Sequence, residues 1–209
     1  MTRSAPARRT AWIIAAVVFF GLATLLDPWA YHHLVYARVY ETDWGRALRT
    51  MGYWPMWMAV ALAFWLEGRP SLVAAWRARA LALSVTAAGL LDEVCKMLLR
   101  RERPGVHDGA YVFRPYTDRP FVTSGIGLPS SHAALSFAAA ATLSALFPRT
   151  RAIWYVLALG CIVTRVIARA HFLSDVTLGA FLGILVGTWC EQRARRETFG
   201  EPALPVSSP

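Results

Sequence analysis

Apolar residues in this chain fall in blocks long enough to cross a bilayer, and that pattern limits the fold more than any other feature. Six blocks stand out, at roughly 10–26, 50–66, 80–99, 132–147, 151–168 and 173–190. A hydrocarbon core about 30 Å thick needs about 20 helical residues, so blocks this size read as spans whose helices run on into flanking polar residues. A soluble domain would scatter its apolar residues around amphipathic faces; here 56% of the residues are hydrophobic and the mean hydropathy is +0.38. Inside a bilayer every backbone polar group must be satisfied within the segment, which selects helices. The fold expected is all-α, a polytopic membrane protein with six transmembrane helices in one bundle over residues 10–192. A basic cytoplasmic tail (1–9) precedes it and a polar, disordered tail (193–209) follows.

The first block follows Arg3, Arg8 and Arg9 and so resembles a signal peptide. Asp27, Pro28 and Trp29 follow it where a small-residue cleavage site would stand, so a retained span is expected. The formal net charge of +9 would suggest nucleic acid in a soluble chain. Between spans, the arginines instead read as topology signals and an anion site, with no nucleic-acid partner. Eleven loop arginines lie on one side and eight on the other, which favours cytoplasmic termini in the plasma (inner) membrane. Residues 27–49 read as an outer, interfacial segment rich in Trp and Tyr. The three cysteines fall within spans, so no disulfide framework is expected.

Ionisable groups near a bilayer core are costly and mark function by default. Three clusters break the apolar blocks. Lys96, the single lysine, precedes Arg103 by seven residues. If the helix runs to Arg103, both cations share a face. Snorkelling to the interface is the alternative reading, and Asp92 and Glu93, a turn earlier, are natural ion partners. The second cluster is Pro129-Ser130-Ser131-His132. Ser130 and Ser131 suit a helix cap, and a helix N-terminus favours a phosphate. The third holds Arg165, Arg169, His171 and Asp175. A carboxylate four residues from a histidine can fix the imidazole tautomer and leave the other ring nitrogen a lone pair. Together these groups make an inventory for phosphoryl transfer through a phosphohistidine, where catalysis is mostly positioning and electrostatics.

Lys96-x6-Arg103-Pro104, Pro129-Ser130-Ser131-His132 and Thr164-Arg165-x5-His171-x3-Asp175 resemble the three-part signature of the type 2 phosphatidic acid phosphatase superfamily, usually written KxxxxxxRP, PSGH and SRxxxxxHxxxD. Ser131 stands where glycine is usual, and Thr164 where serine is usual. The resemblance implies His171 as nucleophile, Asp175 as its orienting partner and His132 as general acid. It implies Lys96, Arg103, Arg165, Ser130 and Ser131 as phosphate ligands, with neither a metal nor a cofactor. Ser131 is tolerated only if the backbone there does not need positive φ. The activity implied is hydrolysis of a lipid phosphomonoester or pyrophosphate at a site facing the periplasm, the partners being the lipid substrate and the bilayer. Undecaprenyl (polyprenyl) pyrophosphate is the favoured substrate. Phosphatidylglycerophosphate, phosphatidate, lipid A phosphate, or a phosphotransferase using the same site are the alternatives. Arg100, Arg101, Arg114 and Arg119 suggest a head group with more than one phosphate, Tyr111, Phe113, Tyr116 and Phe121 suggest a lid, and Arg169 an outer or leaving-group contact.

Overall fold

The computed structural model describes residues 5–200; the expected basic tail up to residue 4 and the polar tail from 201 lie outside them. The described chain is all-helical. It contains α1 (Ala5–His33), a 3-10 turn at Ala37–Glu41, α2 (Asp43–Thr50), α3 (Trp54–Glu67), α4 (Leu72–Leu99), α5 (Ser131–Leu146), α6 (Arg151–Ile167) and α7 (Leu173–Phe199). Six of these are the long apolar blocks. The seventh, α2, is a short, strongly two-faced helix in the aromatic segment. The segments Thr10–His33, Pro148–Ile167 and Leu173–Phe199 are long and apolar enough to cross a membrane.

Several boundaries differ from expectation, each for a local reason. The first helix does not stop at residue 26 but carries Asp27 inside it to His33. Asp27 can stay helical because its carboxylate finds donors on α7 and on the 100–130 loop. α4, the third of the long apolar helices, starts at Leu72 rather than near residue 80, so Arg77 and Arg79 lie within it and not in a loop. Ser71 caps it by accepting the Val73 amide. The tail expected to be disordered from 193 is helical through Phe199, held by Arg193–Glu197 at 2.9 Å one turn apart and by an Arg79–Glu197 pair to α4.

α5 lies at the centre. Its one residue of the Asp, Glu, Lys, Arg and His kinds is His132, and every side chain from Ala133 to Leu143 is buried between α4, α6 and α7. Small residues make this possible, because without a hydrophobic drive between helices in lipid, close backbone approach supplies the packing. Gly179, Gly183 and Gly187 form a stripe at four-residue spacing on α7. A β-carbon added to them would lie 2.6, 2.3 and 2.6 Å from the carbonyl oxygens of Ser130, Ala134 and Ala138. Overpacking such a contact forces backbone movement. Gly183→Ala should lower stability by about 2 kcal/mol, read as a fall of several degrees in the thermal midpoint in detergent. An unchanged midpoint would show that α5 and α7 can separate freely.

This packing aligns the ends of the helices. The C-terminal ends of α1, α4 and α6 and the N-terminal ends of α5 and α7 gather at one pole. Tyr36 N–H donates to Ile167 O (2.8 Å) and Tyr40 Oη to Thr164 O (3.1 Å), which seats the α1–α2 connection on the end of α6.

Candidate active site at the pole of the bundle

Every sequence-derived candidate sits at this pole. His171 and Asp175 belong to the α6–α7 corner. His171 is almost fully buried, and its Nδ1 stands 3.0 Å from Gly127 O and 3.6 Å from Asp175 Oδ2. The hydrogen bond therefore goes to the carbonyl, and the carboxylate is the second neighbour. A carbonyl can only accept, so Nδ1 carries the proton and Nε2 keeps the lone pair. The tautomer expected from the His–Asp spacing is thus set mainly by Gly127. A β-carbon at Gly127 would come 2.9 Å from Asp175 Oδ2 and 3.4 Å from Arg103 Cα, so only glycine lets this backbone lie so close. Burial pushes His171 down to about 4, Asp175 opposing and Arg165 and Arg103 adding to the fall, so the ring is neutral at physiological pH.

Asp175 is committed elsewhere as well. Its Oδ2 accepts the Phe172 amide at 2.8 Å, and its Oδ1 pairs with the Arg101 guanidinium. Arg101, placed by sequence among the phosphate-facing loop arginines, is instead a buried counterion. It also donates to Ser174 Oγ at 2.6 Å and lies 5.0 Å from the Tyr111 and Phe172 ring centres.

The Lys96–Arg103 spacing works by a turn rather than along a helix face. α4 ends at Leu99, and Arg100 adopts the left-handed conformation (φ 55°) that terminates it. The next residues pair antiparallel with 125–127: Arg103 N–H donates to Gly125 O (3.0 Å) and Gly127 N–H to Arg101 O (2.7 Å). This brings Arg103 beside the glycine that holds His171. Arg103 is held below the usual arginine range by burial first, then by the like charges of Arg165 and Arg49.

α5 begins at Ser131, and Ser130 does not cap it through its side chain. Ser130 N–H donates to Asp175 O at 3.1 Å, and Ser130 O accepts the Ala134 amide at 2.9 Å. The amides of Ser131, His132 and Ala133 have no acceptor within their own helix. Ser131 is not in the positive-φ region, so the glycine position tolerates a side chain here. Its hydroxyl meets Lys96 Nζ, which also lies 2.8 Å from Asp92 Oδ2 and 2.7 Å from Glu93 Oε1. Lys96 is therefore matched by two carboxylates and reaches the α5 terminus through Ser131.

Among the described residues, Arg103 Nε, Arg165 Nε and Ser130 Oγ are buried polar atoms without a hydrogen-bond partner. A buried donor left unpaired costs about 1–3 kcal/mol, so such groups mark a ligand site or strain. They come from the loop, α6 and the α5 cap, near a neutral buried imidazole: the charges of Arg103 and Arg165 act on His171, and Ser130 N–H bonds Asp175 O. Such an arrangement can bind an oxyanion and present a nucleophile to it.

Two further residues join from outside the three clusters. Tyr40 accepts from Arg165 Nη1 at 2.9 Å, and the guanidinium carbons of Arg165 and Arg49 lie 5.6 and 4.8 Å from its ring centre. Arg49 is exposed on α2, and Gly52 just beyond it packs on His132. The interfacial aromatics hinted at this segment, but nothing in the sequence singled out these two.

The remaining loop expectations change. Arg100 spends its guanidinium on the loop's own carbonyls: Arg114 (3.0 Å), Pro115 (3.0 Å), Asp118 (2.6 Å) and Pro120 (2.9 Å). Arg114 bonds Glu102 Oε1 (2.7 Å), Val122 O and Ser124 O (both 3.0 Å). Arg119 pairs with Asp118 at the surface. These arginines staple the loop and do not form a second phosphate site. All four aromatics are exposed, but Tyr111 bonds Asp27 and Tyr116 bonds Leu98 O, which leaves Phe113 and Phe121 as the ones without a polar tether. Arg169 turns to Tyr31, donating to its carbonyl at 3.2 Å.

A family model described as the PAP2 superfamily matches residues 77–198. Lipid A 1-phosphatases of Rhizobium johnstonii and Rhizobium etli are each 33% identical to the chain over 115 residues, or 54% of it. The aligned stretch covers 46% and 48% of those proteins, so the chain spans about half the length of the curated relatives it matches. No solved structure matches.

Proposed function

The chain belongs to the PAP2 superfamily, and from that premise we propose that it is a lipid phosphatase whose six long helices span the membrane, with the catalytic pole on the periplasmic side and both termini in the cytoplasm. One observation carries the reading: buried, partnerless donors on Arg103, Arg165 and Ser130 gather at the pole that holds an imidazole whose tautomer leaves Nε2 free.

Arg103, Arg165, Ser130 Oγ and the free amides of the α5 N-terminus hold the phosphate oxygens, arginine's planar fork suiting them especially. Lys96, its charge matched by Asp92 and Glu93, orients the Ser131 hydroxyl at the α5 terminus. His171 Nε2 attacks phosphorus and the P–O bond to the lipid breaks. His132 transfers a proton to the departing oxygen. The phosphorylated imidazole is cationic, and Asp175, 3.6 Å from Nδ1, stabilises that charge while Gly127 O keeps the Nδ1 proton in place. Water then attacks phosphorus, His132 takes its proton, the P–N bond breaks and inorganic phosphate leaves.

For substrate we propose the phosphomonoester of a glycolipid of the lipid A kind, because both relatives are lipid A 1-phosphatases and the loop arginines that argued for several phosphates are used internally. A second reading, hydrolysis of a polyprenyl pyrophosphate, draws on Arg49, an exposed cation beside His132 that suits a second phosphate. Purified protein in detergent with EDTA, offered lipid A, undecaprenyl pyrophosphate, phosphatidylglycerophosphate and phosphatidate, should release phosphate fastest from lipid A. Preference for the pyrophosphate would move the second reading ahead. Release only when an acceptor lipid is added would make the protein a phosphotransferase.

A further inference from the structure

Asp27 is a carboxylate within the first apolar helix, 1% exposed and outside every motif of the family signature. A buried carboxylate is stable only when its oxygens are hydrogen-bonded. Asp27 has three donors: Ser174 N–H to Oδ1 at 2.9 Å, Ser174 Oγ–H to Oδ2, and Tyr111 Oη–H to Oδ2 at 2.7 Å. Ser174 has a single hydroxyl proton, and Asp27 takes it. The hydroxyl lone pairs are thereby turned to Arg101, whose Nη2 donates to Ser174 Oγ at 2.6 Å and also pairs with Asp175 Oδ1. The other oxygen of Asp175 faces His171. Asp27, Ser174, Arg101, Asp175 and His171 therefore form one buried chain of hydrogen bonds and ion pairs that links α1 to the nucleophile.

We infer that Asp27 is a positioning residue for His171, acting through Ser174 and Arg101 to hold Asp175 where it meets the imidazolium charge. The inference rests on the phosphatase reading above. Asp27 touches none of the phosphate-binding groups, so its loss affects the chemical step and leaves phosphate affinity alone. Without it the Ser174 hydroxyl can turn, Arg101 loses an oriented acceptor, and the guanidinium no longer pins Asp175 on one side.

The test compares Asp27→Asn, Ser174→Ala and the double variant with wild type on the best lipid substrate. Asp27→Asn keeps the shape and exchanges one acceptor for a donor. It should lower kcat by roughly 10- to 100-fold, the effect usual for partners that orient a reacting group, while KM and inhibition by inorganic phosphate stay within about twofold. Ser174→Ala should reproduce the loss, and the double variant should add little to either, since both cut one chain. Unchanged kcat in both single variants would overturn the inference. So would losses that multiply in the double variant, or a rise in KM and in the phosphate inhibition constant that accounts for the fall. Should Asp27→Asn fail to fold, Ser174→Ala decides by the same split between kcat and KM. A wild type that releases phosphate from no lipid overturns the phosphatase reading and this inference together, whereas an active wild type with unaffected variants overturns the inference alone.

Discussion

His171→Ala should abolish phosphate release, by about 10⁴-fold or more, equivalent to over about 5 kcal/mol of transition-state stabilisation. Covalent catalysis leaves no substitute here: the other imidazole, His132, sits on a different helix and is assigned the proton. Loss of the nucleophile should spare substrate binding, because the oxyanion ligands lie on other elements. A second readout makes the result specific. Brief incubation of wild type with radiolabelled lipid phosphate should leave an acid-labile, base-stable label on the protein, as expected of a phosphoramidate. His171→Ala should carry none. Turnover equal to wild type would remove the phosphohistidine pathway altogether.

The second large effect concerns His132. A lipid alkoxide is a poor leaving group, so its departure depends on a proton, and general acid catalysis of this kind contributes about 10²- to 10⁴-fold. His132→Ala should lose that factor on any lipid phosphate. On nitrophenyl phosphate the leaving group needs no proton, so the first step should survive. Dephosphorylation should then lag, because water has lost its base. The expected outcome is a burst of nitrophenol equal to the enzyme present, followed by slow turnover and accumulation of the labelled protein. An equal loss on both substrates would show that His132 binds or orients the substrate rather than moving a proton.

Much of the site was legible because chemistry that is out of place in lipid is conspicuous. Lys96, His132, Arg165 and Asp175 interrupt apolar blocks, Arg103 and His171 flank them, and all six gather at one pole. What the sequence could not show is which groups neutralise one another. Arg100, Arg101 and Arg114 look like free cations in a string, yet their partners are backbone carbonyls and carboxylates up to 74 residues away. Lys96 looked like a phosphate ligand, while Asp92 and Glu93, one turn back, already match its charge. Gly127 carries no side chain to notice, and its carbonyl is what orients the His171 ring. Asp27 does carry a signal, being a carboxylate at the edge of an apolar block. Its sequence context argues only against cleavage, because its partners, Ser174 and Tyr111, come from distant segments.

The central helix is also short. Sixteen residues of α5 rise about 24 Å, less than the roughly 30 Å hydrocarbon layer, whereas α4 and α7, with 28 and 27 residues, exceed it. The start of α5 is level with the ends of its neighbours, since Ser130 N–H meets Asp175 O in the first turn of α7 and Ser131 meets Lys96 in the last turn of α4, so its shortfall lies at the opposite end of the bundle. The proposed phosphate cradle therefore sits at the membrane edge, beneath the stapled loop. A lipid anchored by its chains could bring its head group to that edge from the side, without being drawn out of the bilayer. Water must come down from above, so the two reactants of the second step would approach along perpendicular routes.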